Sequence, residues 1–240
     1  MRKYLKMFAA TLFAASLLVI SGCSKKGNPI QPPANPPALP SVTFKGPNTN
    51  STDQYAQLTE SYVLSFKEFS SYTTAFANMS AAQNGNTWTW TYKYNTLTET
   101  MTTTQNSNGS YSWKVVFNGK ASSNDTVYYT NWTLLQGTTS ADGKNGSWTI
   151  YYENTTIMLA EYNWNTSSGG VLTGTLKTYD NGGNVQSSIN VVNNSDGSGS
   201  VEDYTGTVLI FKSVWQANGS GQWWTYDSST GGQVGTGSWT

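Results

Sequence analysis

The chain has 240 residues, with 13 basic and 13 acidic side chains, ten tryptophans, a single cysteine and no histidine. The missing histidine excludes histidine-dependent triads and histidine-ligated zinc hydrolase sites, and the lone cysteine excludes an internal disulfide or a thiolate metal cluster. No basic stripe is present, which argues against nucleic acid as a partner.

In chain order, Arg2, Lys3 and Lys6 form a positive head, followed by a 13-residue run from Phe8 to Ile20 that carries no charge. That length suits the core of a signal peptide and is short for a membrane-spanning helix. The run closes on Ile20-Ser21-Gly22-Cys23, which resembles the lipobox of bacterial lipoproteins. The resemblance implies cleavage before Cys23, acylation of its thiol and amine, and export to the cell envelope. Two or three acyl chains hold a protein firmly where one would be marginal, so the implied partner is membrane lipid. Ser24 in the position after the cysteine implies the outer membrane under the sorting rule of enteric lipoproteins.

Residues 23–50 read as anchor and spacer, with all seven prolines of the chain between Pro29 and Pro47. Such a composition favours an extended polyproline conformation of about 3.1 Å per residue. Residues 51–240 are then the folded domain, large enough for a sizeable core. After Cys23 the ten lysines face 13 carboxylates, 3 net negative.

From Ser51 to Gln83 the apolar residues Tyr55, Leu58, Tyr62, Phe66, Phe69, Phe76 and Met79 recur at helical spacing. An amphipathic helix is expected here, breaking near Ser70-Ser71 if it is two shorter helices. Ser51 and Gln54 suggest a capping box, and Asn84-Gly85 suggests the stop.

From Asn86 onward the period is two. Trp88, Trp90, Tyr92 and Tyr94 alternate with Thr and Lys, and Tyr111, Trp113, Val115 and Phe117 do the same. Further runs pass through Tyr128, Trp132 and Leu134, through Trp148, Ile150 and Tyr152, and on to Trp239. Asn-Gly or Asp-Gly pairs at 108, 118, 142, 145, 181, 196 and 218 suggest type I′ hairpins. The expected fold is mainly β (α+β): a curled antiparallel meander of about ten strands, barrel or half-barrel like, behind an N-terminal helix. At this coarse level the order of elements resembles the outer-membrane lipoprotein-localisation carriers, which implies a cavity for acyl chains but transfers no site residue.

The functional candidates are the aromatics that share strand parity: Trp88, Trp90, Tyr92, Tyr111, Trp113, Tyr128, Trp132, Trp148 and Tyr152. Indoles each need a partner for the N–H, so a cavity or groove with polar spots would suit them, and the implied ligand is hydrophobic or glycan. Cross-strand packing among good strand residues accounts for the same pattern. A non-catalytic binding or carrier module is the leading reading, with a glycan-binding surface module and a structural envelope protein as alternatives. A carboxylate-dependent glycoside hydrolase is the remaining one: Glu99, Glu153 and Glu161 lie in or beside strand runs, but sequence cannot pair them. No cofactor is implied. The loop from Asn194 to Ser200, followed by Glu202 and Asp203, lacks the repeated acids of a calcium loop and reads as a tight turn.

Overall fold

The computed structural model describes residues 35–39, 42–47, 51–74, 76, 78–120, 122 and 126–240. Residues 1–23, where a signal peptide and lipobox are expected, lie outside these, Cys23 included, as does most of the expected spacer.

The one described helix, α1, spans Gln54–Thr74 without a break. It starts well inside the chain rather than at its N-terminus. Asp53 caps it: its Oδ1 accepts from Tyr55 N at 2.8 Å and Ala56 N at 3.0 Å, satisfying two amides that lack helical partners. The capping box expected of Ser51 and Gln54 is not what forms; Ser51 Oγ instead accepts from Asp53 N. Asn84 and Gly85 do not stop the helix, because Asn84 already belongs to the first strand.

Thirteen strands follow, where about ten were expected. They are β1 (Ala82–Asn84), β2 (Thr87–Tyr94), β3 (Leu97–Gln105), β4 (Tyr111–Gly119), β5 (Tyr129–Thr139), β6 (Asn145–Tyr151) and β7 (Met158–Thr166). Then come β8 (Leu172–Tyr179), β9 (Val185–Asn193), β10 (Gly199–Thr205), β11 (Val208–Trp215), β12 (Gly221–Tyr226) and β13 (Gln233–Trp239). Each pairs antiparallel with its sequence neighbour in one sheet, and β1 does not pair with β13, so the sheet is open and no barrel closes. Three strands escape hydrophobic periodicity. β1 has only three residues, β3 is mostly threonine, and β10 fuses in sequence with β11 because only Gly206 and Thr207 separate them.

The hairpin turns differ from expectation too. At 106–110, 140–145, 167–171, 180–184, 194–198 and 216–220, a paired loop closes with glycine alone at positive φ, as in Gly197 at 92° and Gly219 at 91°. Asn108, Asp142, Asp196 and Asn218 keep negative φ and accept hydrogen bonds from the amide two residues on. This is a type I turn followed by a left-handed glycine, not type I′. Asn118-Gly119 and Asn145-Gly146 are not turns at all; they lie within β4 and β6.

The inner face carries the core and meets the helix. Tyr55 stacks on Trp223 of β12 with ring centroids 3.7 Å apart, and Phe66 meets Tyr162 of β7 edge-on at 5.4 Å. Eleven helical residues rise about 16 Å, whereas five strand spacings span about 24 Å. Contacts at both ends therefore require the helix to cross the strands rather than run along them. Between these ends Thr59 Oγ1 donates to Ser213 Oγ at 2.9 Å and Tyr62 Oη to Asp203 Oδ2 at 2.6 Å. Residues 42–47 lie against the same region. Phe44 is buried on Phe66, and Lys45 and Asn193 exchange two hydrogen bonds of 2.6 and 2.7 Å.

Candidate functional site

The structure distributes the nine aromatic candidates over three places instead of lining one cavity. Trp88, Trp90 and Trp113 gather on the inner face of β2 and β4 with half-buried Tyr111; Trp90 and Trp113 stack at 6.4 Å. Tyr92, on the same strand and face, is half-buried. Trp148 joins Tyr162 and Trp164 further along the sheet. Trp132, Tyr128 and Tyr152 lie at the loop end of β5 and β6.

Burial separates these groups by what they can touch. Trp88, Trp90, Trp113, Trp132 and Trp148 are 3–5% exposed. Trp113 Nε1 donates to Thr139 Oγ1 at 2.9 Å and Trp132 Nε1 to Tyr152 O at 3.0 Å, so these indoles find their polar partners inside the protein. Elsewhere Trp164, Trp215 and Trp239 donate to the turn carbonyls of Gly143, Gly197 and Gly219. Such tryptophans are core by packing and by hydrogen bonding.

Tyr128 is different: it is 54% exposed and stands at a groove lined by Thr130, Asn131, Trp132, Thr133, Gln136 and Tyr151 on one side and by Asn154 to Ile157 on the other. Of the six large apolar or aromatic side chains exposed among the described residues, Tyr128 and Ile157 are the two that border it. None of the described lining residues carries a charge.

The groove is built on fixed parts. Its floor is Trp132, stacked on Tyr129 at 5.2 Å, met edge-on by Phe117 at 5.6 Å and tied through its indole to Tyr152 O. One wall is held by Asn154 Nδ2 donating to Tyr128 O at 3.0 Å and by Tyr129 Oη donating to Glu153 Oε1 at 2.9 Å. Thr155 donates to Tyr152 O, and Tyr152 Oη donates to Tyr179 O at 2.7 Å. Gln136 donates to Tyr151 Oη across the strand pair. Asn131 and Asn154 both sit in the left-handed region, at φ 50° and 54°; asparagine tolerates it better than most residues. Among the described residues, the hydroxyls of Thr130, Thr133 and Thr156 and the side-chain amide of Asn131 have no partner.

Sequence reading reached Tyr128, Trp132 and Tyr152 here and missed Asn131, Gln136, Tyr151, Asn154 and Ile157. Asparagine at 131 and 154 looked like ordinary loop composition, and only the left-handed backbone marks it. The three strand-associated glutamates do not come together. Glu99 projects from the inner face of β3, where burial pushes its carboxyl up. Glu161 is on the outer face of β7, accepting from Tyr179 Oη, and Glu153 is bound by Tyr129. In the 194–198 turn Asp196 accepts from Ser198 N and Oγ, which hold its carboxyl below the usual range. No protein-family model matches the chain, and no curated protein matches it.

Proposed function

We propose that this protein is an exported lipoprotein, cleaved before Cys23 and anchored in the outer membrane by acyl groups on that cysteine. Its β domain is a non-catalytic binding module that meets its ligand at the Tyr128 groove. The anchoring half rests on the positive head, the uncharged 13-residue run and the Ile20-Ser21-Gly22-Cys23 pattern. The binding half rests on one observation: an aromatic residue 54% exposed beside a side-chain amide and hydroxyls that have no partner among the described residues, on a floor that packing has already fixed. A sheet curled over the helix would serve as the rigid support of that groove. Burial of Trp88, Trp90, Trp113 and Trp148 favours an open surface site over an acyl-chain cavity lined by those residues.

The experiment has two readouts in intact cells. Mass spectrometry of the mature N-terminus should find an acylated Cys23, and Cys23→Ala should abolish fatty-acid labelling and membrane partition; an unmodified N-terminus elsewhere would refute the anchor. With a photo-crosslinking benzophenone side chain in place of Tyr128, irradiation should capture an envelope component, whereas the same side chain in place of Tyr94, itself 49% exposed on β2, should not. Equal capture at both positions, or none at 128, would refute the groove as the binding site.

A further inference from the structure

The chemistry of the Tyr128 groove is narrower than binding in general. Among the described residues its lining offers rings, amides and hydroxyls and no ionic group. A charged ligand would have to leave water without gaining an ion pair there, which is costly. A wholly apolar ligand would cover Thr130, Asn131 and Thr133, whose side-chain polar atoms have no partner among the described residues, and strip their water without replacement. A ligand that is neutral, has one apolar face and is rich in hydroxyls on its edges meets every group in turn. Its flat C–H face can lie on the Tyr128 ring, while the Asn131 amide donates to and accepts from hydroxyls at its edge. The threonine hydroxyls do the same in either sense. An extended peptide is the competing occupant, because β5 pairs with β6 only from Leu135 to Thr139 and its residues 129–134 pair with β4 alone; a protein captured at position 128 is the outcome that would identify it.

From this complementarity we infer that the groove binds a neutral carbohydrate chain. The inference rests on the binding reading above and specifies its ligand. Preorganisation strengthens it. Asn131 and Asn154 are already in their left-handed conformations, and Trp132 is locked from three sides, so little ordering remains to be done on binding.

The test is affinity electrophoresis of the full mature chain in mild detergent, through gels containing neutral polysaccharides (an α-glucan, a β-glucan, a mannan, a xylan) or acidic ones (polygalacturonate, heparin). At least one neutral polymer should retard the protein and the acidic ones should not. Tyr128→Ala should weaken that retardation at least about tenfold, as loss of a central aromatic anchor does. Asn131→Gly, which keeps the backbone angle accessible while removing the amide, should weaken it as well. Both variants should unfold at the wild-type temperature, and Tyr94→Ala should bind as wild type. Retardation that survives both groove variants, stronger retardation by the acidic polymers, or none by any neutral polymer would overturn the inference. If photo-capture at position 128 then yields a protein or lipid, the binding module stands and its carbohydrate ligand falls. If capture fails as well, both fall.

Discussion

At the scale of the residue, the sheet is organised by tryptophan facing glycine. In the register, Trp113 faces Gly137, which faces Trp148; Trp164 faces Gly146 on one side and Gly174 on the other. Gly199, Trp215, Gly221 and Trp239 continue the alternation across four strands. An indole needs more width than one strand spacing of about 4.8 Å leaves between side chains, and a glycine beside it supplies the room. A Cβ on Gly221 would come 2.2 Å from Trp239 Cζ2 and 2.5 Å from Val214 O, so backbone as well as ring would have to move. Gly221→Ala is therefore expected to cost about 1–3 kcal/mol by overpacking. Gly197→Asn is expected to cost less, since a Cβ there meets nothing within 4 Å and only its φ of 92° resists a side chain, in a region asparagine tolerates better than most residues. Urea unfolding of the two variants reads the difference, and equal losses would argue against the pairing.

At the scale of the element, the contact of α1 with the sheet mixes aromatic packing with two buried polar bonds. Asp203 is 7% exposed, and burial raises its carboxyl above the usual 3.8, opposed by the hydrogen bond it accepts from Tyr62. Burial, and after it the same bond, pushes the Tyr62 hydroxyl well up. For an acid whose folded pKa is raised, the folded state holds the proton more tightly than the unfolded chain does. Its contribution to stability is full below the unfolded value and is lost as pH rises through the folded one. Asp203→Asn keeps an acceptor for Tyr62 and removes the titration. The melting temperature of the variant relative to wild type should consequently climb as pH goes from about 4 to about 8. A difference that stays flat over that range would show that Asp203 does not titrate there. Glu60 presents a related strain: its Oε2 is buried without a partner, and burial raises its carboxyl too. A Cβ on Gly46 would come 1.8 Å from that oxygen, so the Glu60 carboxylate would have to turn aside to admit one.

At the scale of the whole molecule, an open sheet of 13 neighbours in sequence order keeps most strand contacts local, and the helix with the 42–47 segment adds the long-range ones. The two free edges are managed unequally. β1 is three residues long, whereas β13 runs from Gln233 to Trp239 with no proline or charge. The proline-rich composition of 24–50 and the docking of Phe44 and Lys45 together set a cleavage order. Trypsin should cut the native protein after Lys25 or Lys26 before it cuts after Lys45, whose backbone is bound to Asn193. Early cutting at Lys45, or at Lys114 and Lys177 within the sheet, would mean that these segments open more readily than their packing implies.

The sequence by itself determined the class of this fold and the kind of residue in its core, because a period of two is imposed on any half-buried strand wherever its partner lies. It also determined the targeting expectation, which depends on linear pattern alone. It could not reveal β3, whose threonines carry strand propensity without hydrophobic contrast, or separate β10 from β11, because a two-residue turn leaves almost no gap in the pattern. Tertiary structure alone decided which aromatics are core and which are free. Trp90 and Tyr128 are similar in sequence context, but one lies on the inner face of β2 and the other just ahead of β5 at the loop end of the sheet. The groove belongs to that second level entirely: Tyr128, Asn131 and Gln136 meet Tyr151, Asn154 and Ile157 only because the pairing of β5 with β6 brings the two loop ends together.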